Sequence, residues 1–171
     1  MLSQKLVDAF NEQMKNEFFS AYLYKGMVAY FTGEELKGFG NWLQVQTLEE
    51  MTHGDKFFTF LLDSGAAPVL LPIAAPKADW KSPLDAFEYG LKHEQFVTAS
   101  INKLMDLAKK ESNHAAQIFL QWFVTEQIEE ESNFTGWVRK LKLVKGDGRG
   151  VLLLDQEAAA RVFTPPAAPA P

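Results

Sequence analysis

The sequence predicts an all-α protein, in which four long helices form a bundle and a short fifth helix follows. Three observations support this fold class. Apolar residues recur at intervals of three and four along four segments, each about 30 residues long. No segment alternates apolar and polar residues as a strand does, and stretches containing glycine or proline separate the four segments. Helices of that length extend about 45 Å, which favours packing side by side in a bundle.

The first two helices have recognisable ends. Ser3 can cap the first helix, which should end at Gly33. The second helix is predicted from about Glu34 to Ser64, where Gly65 closes it. The connection that follows, residues 65–81, contains three prolines and cannot be helical throughout. At about 3.3 Å per residue it is long enough to cross the bundle. The second and third helices are therefore predicted to run parallel.

The remaining helices also carry boundary signals. Ser82 can cap the third helix, with proline at the first helical position, and a break is expected near Ser112 and Asn113. The fourth helix should run from His114 to about Val144, and the fifth is predicted within Val151–Phe163. Three glycines should stop the fourth helix: Gly146, Gly148 and Gly150.

Length and composition indicate one domain. The 171 residues suit a single core, assigned here to residues 1–163, and the Pro/Ala-rich residues 164–171 are expected to form a flexible tail. The chain is net acidic, with 22 acidic and 17 basic residues, so nucleic-acid binding is not expected. It shows no apolar run of about 20 residues and no signal-peptide core near Met1, which predicts a cytoplasmic protein without a membrane span.

The chain contains no cysteine, which limits the chemistry of any metal site. Thiolate zinc sites, iron–sulfur clusters and disulfides are excluded. A metal would have to be bound by carboxylate, amide or imidazole groups. The metal ligands must therefore be sought among Glu, Asp, Gln, Asn and His.

Six polar side chains are spaced so that they meet at one level of the bundle. Glu50 lies 33 residues after Glu17, and Gln127 lies 33 residues after Glu94. The second helix pair repeats the positions of the first pair 77 residues later. A pseudo-twofold axis between the two pairs would bring all six together. They are Glu17, Glu50, His53, Glu94, Gln127 and Glu130.

This set predicts a site for two metal ions. Carboxylates that face one another inside a bundle repel and are costly to desolvate unless they take up protons or bind cations. Four ionised glutamates carry a charge of −4, which two divalent ions would balance. An oxygen-rich set with one imidazole suits iron or manganese better than structural zinc.

The motifs resemble those of the ferritins. The matching pattern is Glu17, Glu50-x-x-His53, Glu94 and Gln127-x-x-Glu130, and the strings 49–53 and 122–131 look like those of bacterial non-haem ferritins. The resemblance covers residues 1–163. It implies a ferroxidase and iron store, which oxidises Fe(II) to Fe(III) with dioxygen or hydrogen peroxide through a diferric intermediate. It also implies a homo-oligomeric hollow shell of twenty-four subunits, with the fifth helix around fourfold axes.

The resemblance also implies residue roles. The first iron would be bound by Glu17, Glu50 and His53. The second would be bound by Glu94 and Glu130, with Glu50 bridging and Gln127 nearby. Tyr24 resembles the family tyrosine, so it is expected to form a hydrogen bond near the centre and to donate an electron. A third iron site would use Glu49, Glu126, Glu129 and Glu130.

Two departures and two alternatives bear on this interpretation. Gln127-x-x-Glu130 stands where the matching motif of bacterioferritins is Glu-x-x-His. The second iron should therefore be held more loosely, as suits storage. Met51 matches the haem ligand of bacterioferritins, but no haem is expected. His93 and His114 are expected on the surface. The alternatives are a di-iron peroxide-reducing protein similar to rubrerythrin or bacterioferritin, and a non-catalytic helical metal-binding module.

Overall fold

The computed structural model describes residues 1–164 and contains five helices and no strand within that range. The predicted all-α bundle is therefore confirmed. Residues 165–171 of the predicted tail lie outside the described part of the chain. The helices are α1 (Gln4–Gly33), α2 (Lys37–Asp63), α3 (Pro83–Lys110), α4 (His114–Val144) and α5 (Gly148–Ala158).

Four helices begin with a capping side chain from the preceding residue. In each case the side-chain oxygen accepts a hydrogen bond from a backbone N–H three residues further on, which satisfies one of the free donors of the first turn. The two predicted serine caps are confirmed. The capping residues are Ser3, Ser82, Asn113 and Asp147.

The connection between α2 and α3 runs along α1. The Val69 N–H donates to Oδ1 of Asn11 at 2.8 Å, and the Trp80 ring packs against Tyr30 with centroids 5.4 Å apart. Asn11 and Tyr30 are separated by about 28 Å along α1, at 1.5 Å per residue. The chain thus returns to the end of the bundle where α2 begins, and α2 and α3 run parallel as predicted.

Two boundaries differ from the sequence predictions. Helix α2 begins at Lys37 rather than about Glu34, because the chain first makes a turn in which Glu35 has a positive φ of 59°. Helix α5 spans Gly148–Ala158 rather than Val151–Phe163. The Asp147 cap starts it early, so two of the three glycines lie inside α5, and Gly146, at φ 77°, makes the break together with Lys145, at φ 50°.

The core divides into two apolar clusters, one towards each end of the bundle. The cluster near the start of α2 includes Phe31, Phe39, Phe87 and Trp137, and the other includes Phe10, Phe57, Leu104 and Phe123. Apart from Asn11 and Gln13 in α1, the buried polar side chains lie between the two clusters along every long helix. The bundle therefore has a polar middle layer enclosed by apolar packing.

None of the helices within residues 1–164 combines the length and the apolar character that crossing a membrane requires.

Helix α5 supplies the side-chain acceptor that the start of α2 lacks. Leu36 precedes α2 and offers no capping side chain, but Asp155 of α5 accepts the Phe39 N–H at 2.8 Å. The two helices approach closely at Gly38, where a Cβ would lie 1.7 Å from the Asp155 carbonyl oxygen. Only glycine at this position permits the observed docking of α5.

We predict that Gly38→Ala lowers the free energy of unfolding by roughly 1–3 kcal/mol, because α5 must move to accommodate the methyl group. Within an exposed helix the same change would stabilise by about 1 kcal/mol. Chemical denaturation measures the change in the free energy of unfolding and hence its sign. Gly136→Ala in α4, where nothing lies within 4 Å of the new Cβ, is the control and should stabilise. Stabilisation by both variants would contradict the docking described.

Candidate metal centre

The structure brings the six predicted side chains together in the middle layer. They come from all four long helices, and each is at most 3% exposed. Glycine next to the centre allows this close packing, since a Cβ at Gly54 would lie 2.4 Å from the Phe18 ring. The six are Glu17, Glu50, His53, Glu94, Gln127 and Glu130.

Five of the six form two groups of potential metal ligands. In the first group, one ligand atom from each of Glu17, Glu50 and His53 lies within 4.8 Å of the others. The second group meets the same limit and consists of Glu50, Glu94 and Glu130. Because Glu50 belongs to both groups, it stands where a carboxylate would bridge two ions.

Glu17, Glu94 and Glu130 are desolvated to an extent that favours their protonated forms. Burial, reinforced by the Glu50 carboxylate, raises the pKa of Glu17 to about 8. The same two causes raise the pKa of Glu94 to about 8. The pKa of Glu130 is raised well above its usual range, by burial and then by Glu94 and Glu50. A cation would reverse this preference and bring the ionised forms back.

Glu17 provides a direct sign of the fit to a metal. Its Oε1 accepts a hydrogen bond from Gln13 Nε2 at 2.7 Å, whereas its buried Oε2 has no hydrogen-bond partner among residues 1–164. Buried polar atoms are nearly always satisfied, so an orphaned carboxylate oxygen calls for an explanation. Glu17 belongs to the first ligand group, and coordination through this oxygen would satisfy it.

His53 lies between two carboxylates. Its Nδ1 is 3.4 Å from Glu50 Oε2, and its Nε2 is 3.7 Å from Glu126 Oε1. Burial alone would lower the pKa of His53, but the contacts with Glu126 and Glu50 raise it well above the usual value. Because only the neutral imidazole binds metal, an ion entering here would displace a proton.

Two amide side chains orient the carboxylates. Gln46 Nε2 donates to Glu130 Oε2 at 2.7 Å and to Glu50 Oε1 at 3.3 Å. Gln127 Nε2 donates to Glu94 Oε2 at 3.2 Å. Sequence reasoning missed Gln46, although it stands four residues before Glu50 on the same face of α2, which was the available signal.

Tyr24 lies beside the second ligand group. It is fully buried, its hydroxyl donates to Glu94 Oε1, and its ring stacks on Phe134 with centroids 5.4 Å apart. Burial and the Glu94 carboxylate raise the pKa of Tyr24 well above its usual value, so the phenol stays protonated. The hydrogen bond expected near the centre is present.

The residues predicted for a third site are only partly brought together. Glu126 approaches His53 and Glu130, with one ligand atom from each within 4.8 Å. Glu49 is paired with Arg161, at 2.5 Å between Oε2 and Nη2. Glu129 is exposed and belongs to none of the three ligand groups found in residues 1–164.

One histidine was predicted wrongly. His93 is partly buried rather than on the surface, because this face of α3 packs against α1. Its Nε2 lies 2.8 Å from Ser20 Oγ, and its ring meets Tyr24 edge-on with centroids 6.1 Å apart. Burial lowers the pKa of His93. His114 is exposed, as predicted.

Comparison with known proteins gives consistent matches over almost the whole chain. The family described as "Ferritin-like domain" matches residues 7–144. The bacterial non-heme ferritin of Staphylococcus saprophyticus is 39% identical over 163 residues, which cover 95% of this chain and 98% of the relative. The protein of the same name from Staphylococcus aureus is 37% identical over the same shares.

Solved structures agree with the sequence relatives. A structure titled "Humanized Archaeal ferritin" superposes with a TM-score of 0.95 at 44% identity, covering 96% of this chain and all of the other. An open pore ferritin from Archaeoglobus fulgidus gives a TM-score of 0.94 at 42% identity and covers 95% of this chain.

We predict that the metal-free protein loses stability as pH rises, because folding raises the pKa of Glu17 and Glu94. The contribution of a raised carboxyl pKa is complete below about 4.5 and is lost as pH rises through about 8. Glu17→Gln should therefore flatten the decline of the thermal midpoint over this range, measured with chelator present. Glu129→Gln, which changes an exposed carboxylate, serves as the control. Parallel declines in wild type and Glu17→Gln would contradict this electrostatic picture.

Proposed function

Because the chain belongs to the ferritin family, we propose that it is an iron store with ferroxidase activity at the buried centre. The single observation that carries the proposal is the pair of ligand groups joined by Glu50. Two Fe(II) ions held on one shared carboxylate lie close enough to give their two electrons to the same dioxygen or peroxide molecule.

Different residues bind each of the two substrate ions. Glu17 and His53 hold the first ion, Glu94 and Glu130 hold the second, and Glu50 bridges them. Binding displaces protons from side chains whose pKa is raised, and the resulting charge of −4 balances two Fe(II) ions. Hard oxygen ligands favour the Fe(III) product over Fe(II) and thereby assist the oxidation.

The second ion is the one that leaves. A neutral amide, Gln127, stands where a charged or imidazole ligand would hold the ion more firmly. Its NH₂ group donates to Glu94 and Thr98, and an amide NH₂ donates hydrogen bonds but does not bind a metal ion. Loose binding at this position suits iron that must move on to a mineral.

The residues around the centre serve transfer of electrons and iron. Tyr24, hydrogen-bonded to Glu94, is proposed as the electron donor. A third, transient iron position is proposed at Glu126 and Glu130, with Glu49 and the exposed Glu129 as further ligands on the way to the surface. Fe(III) would leave the centre by this route.

Storage requires a cavity larger than one subunit, so we propose a homo-oligomeric shell of twenty-four copies, in the cytoplasm and without haem. Helix α5 leaves Leu152 and Leu153 exposed, by 56% and 66%. Neighbouring apolar side chains that remain exposed in one subunit are suited to contacts between subunits.

The test is aerobic loading with Fe(II), followed by molar mass and iron per subunit. We expect fast oxidation and far more than two irons per subunit, in a particle many times the 19.3 kDa of one chain. Glu50→Ala with His53→Ala should slow oxidation by more than about tenfold, since ligands of both ions are lost. Asp106→Asn, an exposed change in α3, is the control.

Two outcomes would contradict the proposal. Unchanged fast oxidation in Glu50→Ala with His53→Ala would place the reaction elsewhere. A small oligomer that retains about two irons per subunit would favour the peroxide-reducing alternative.

We further predict that Gln127→Glu tightens binding of the second ion by about tenfold or more, because a charged oxygen ligand replaces a neutral amide. Anaerobic calorimetry with Zn(II), which is redox-silent, measures the second binding step. Gln127→Met, similar in volume but without an oxygen ligand, is the matched control and should not tighten it. Equal affinities in wild type and Gln127→Glu would show that this position does not face the second ion.

A further inference from the structure

Arg161 connects the segment after α5 to the metal centre without touching any of the six central residues. Its Nη1 donates to Gln46 Oε1 at 2.8 Å, and its Nη2 lies 2.5 Å from Glu49 Oε2. The guanidinium also lies over the Trp42 ring, 4.2 Å from the centroid. The side chain is only 18% exposed. The reaction proposed above assigns it no role.

The backbone around Arg161 is fixed as well. Asn41 Nδ2 donates to the carbonyl oxygens of Ala159 at 3.2 Å and of Arg161 at 2.9 Å. The guanidinium therefore reaches α2 from an anchored base, and the position of its two donating groups is well defined.

The contact with Arg161 decides which way the Gln46 amide faces. Gln46 is completely buried, and its carbonyl oxygen accepts from a permanently charged donor. The NH₂ group must then face the opposite way, where it donates to Glu130 and Glu50. A flipped amide would place its oxygen against two carboxylates and lose all three hydrogen bonds.

We propose that Arg161 is a positioning residue for the metal centre, which acts through the Gln46 amide to hold the Glu130 and Glu50 carboxylates in place for the second ion. This inference rests on the function proposed above and adds a residue to it. The first ion depends less on this chain of contacts, because Glu50 is its only ligand that receives a hydrogen bond from Gln46, and this bond, at 3.3 Å, is longer than the 2.7 Å bond to Glu130.

Lysine should not replace arginine here. An ammonium group keeps the charge, but it lacks the planar fork that donates to Gln46 and Glu49 at once while lying flat on Trp42. Arg161→Lys therefore separates positioning from charge. If charge near Glu49 were all that mattered, lysine would restore the wild-type behaviour.

The test is anaerobic titration of the assembled protein with Co(II), which does not need turnover and reports its ligand geometry through visible absorption. Calorimetry gives the two affinities. In Arg161→Ala we expect the second Co(II) to bind about tenfold more weakly, with an altered visible band and a smaller loss of affinity in the first step. Arg161→Lys should resemble Arg161→Ala.

Two further variants check the route and the specificity. Gln46→Met should reproduce the loss, and the Arg161→Ala, Gln46→Met double variant should lose no more than the more affected single variant, since both break one chain of contacts. Lys140→Ala is the matched control. It removes the other ion pair that docks α5, between Lys140 and Glu157, far from the centre, and should leave both affinities unchanged.

Several results would overturn the proposal. These are an unchanged second step in Arg161→Ala, restoration by Arg161→Lys, multiplied losses in the double variant, or an equal loss in Lys140→Ala. Wild type that binds fewer than two Co(II) ions per subunit would overturn the proposed function together with this inference. Wild type that binds two ions, with unchanged affinities in Arg161→Ala, would overturn this inference alone.

Discussion

The structure depends on the cost of holding four carboxyl groups in the dry middle layer of a helical bundle. Among residues 1–164, none of the four glutamates forms an ion pair with a lysine or arginine, and only Glu50 has a charged partner, in His53. Burial of unpaired carboxylates is strongly unfavourable, so the two apolar clusters on either side must stabilise the bundle against its own centre. Repulsion between the buried carboxylates lowers the stability of the folded chain. A bound cation would relieve this repulsion, so the same feature increases affinity for cations.

Neutral amides make this arrangement workable. Gln13 lies one helical turn before Glu17, Gln46 lies one turn before Glu50, and each donates to that glutamate. Gln127 does the same for Glu94 from the neighbouring helix. An amide N–H orients a carboxylate oxygen without neutralising its charge, whereas a lysine would orient it and also compete with the metal. The amides therefore hold the geometry and leave the charge for the ions.

The sequence was most informative where the fold repeats itself. Helix periodicity and serine caps located α1 and α3, and the equal intervals placed six side chains in one layer, because ligands on stiff helices are fixed by spacing alone. Features that depend on tertiary contact were not predictable in this way. His93 is covered by α1, and Arg161 reaches Gln46 only because α5 docks beside Gly38. Local periodicity carries no signal for contacts between segments that lie 73 and 115 residues apart in the chain.

The two ligand groups differ in chemistry, so the two metal positions are not equivalent. The two groups share Glu50, so neither of two bound ions would bind without altering the other's environment. On one side an imidazole completes the set, and on the other side the nearest additional group is an amide whose nitrogen is turned towards Glu94. In the proposed reaction, oxidation raises the charge on both ions equally, but only the second would exchange its ligands without giving up an imidazole. Symmetry in the positions of the residues would thus bring two ions together, and asymmetry in their chemistry would determine which one departs first.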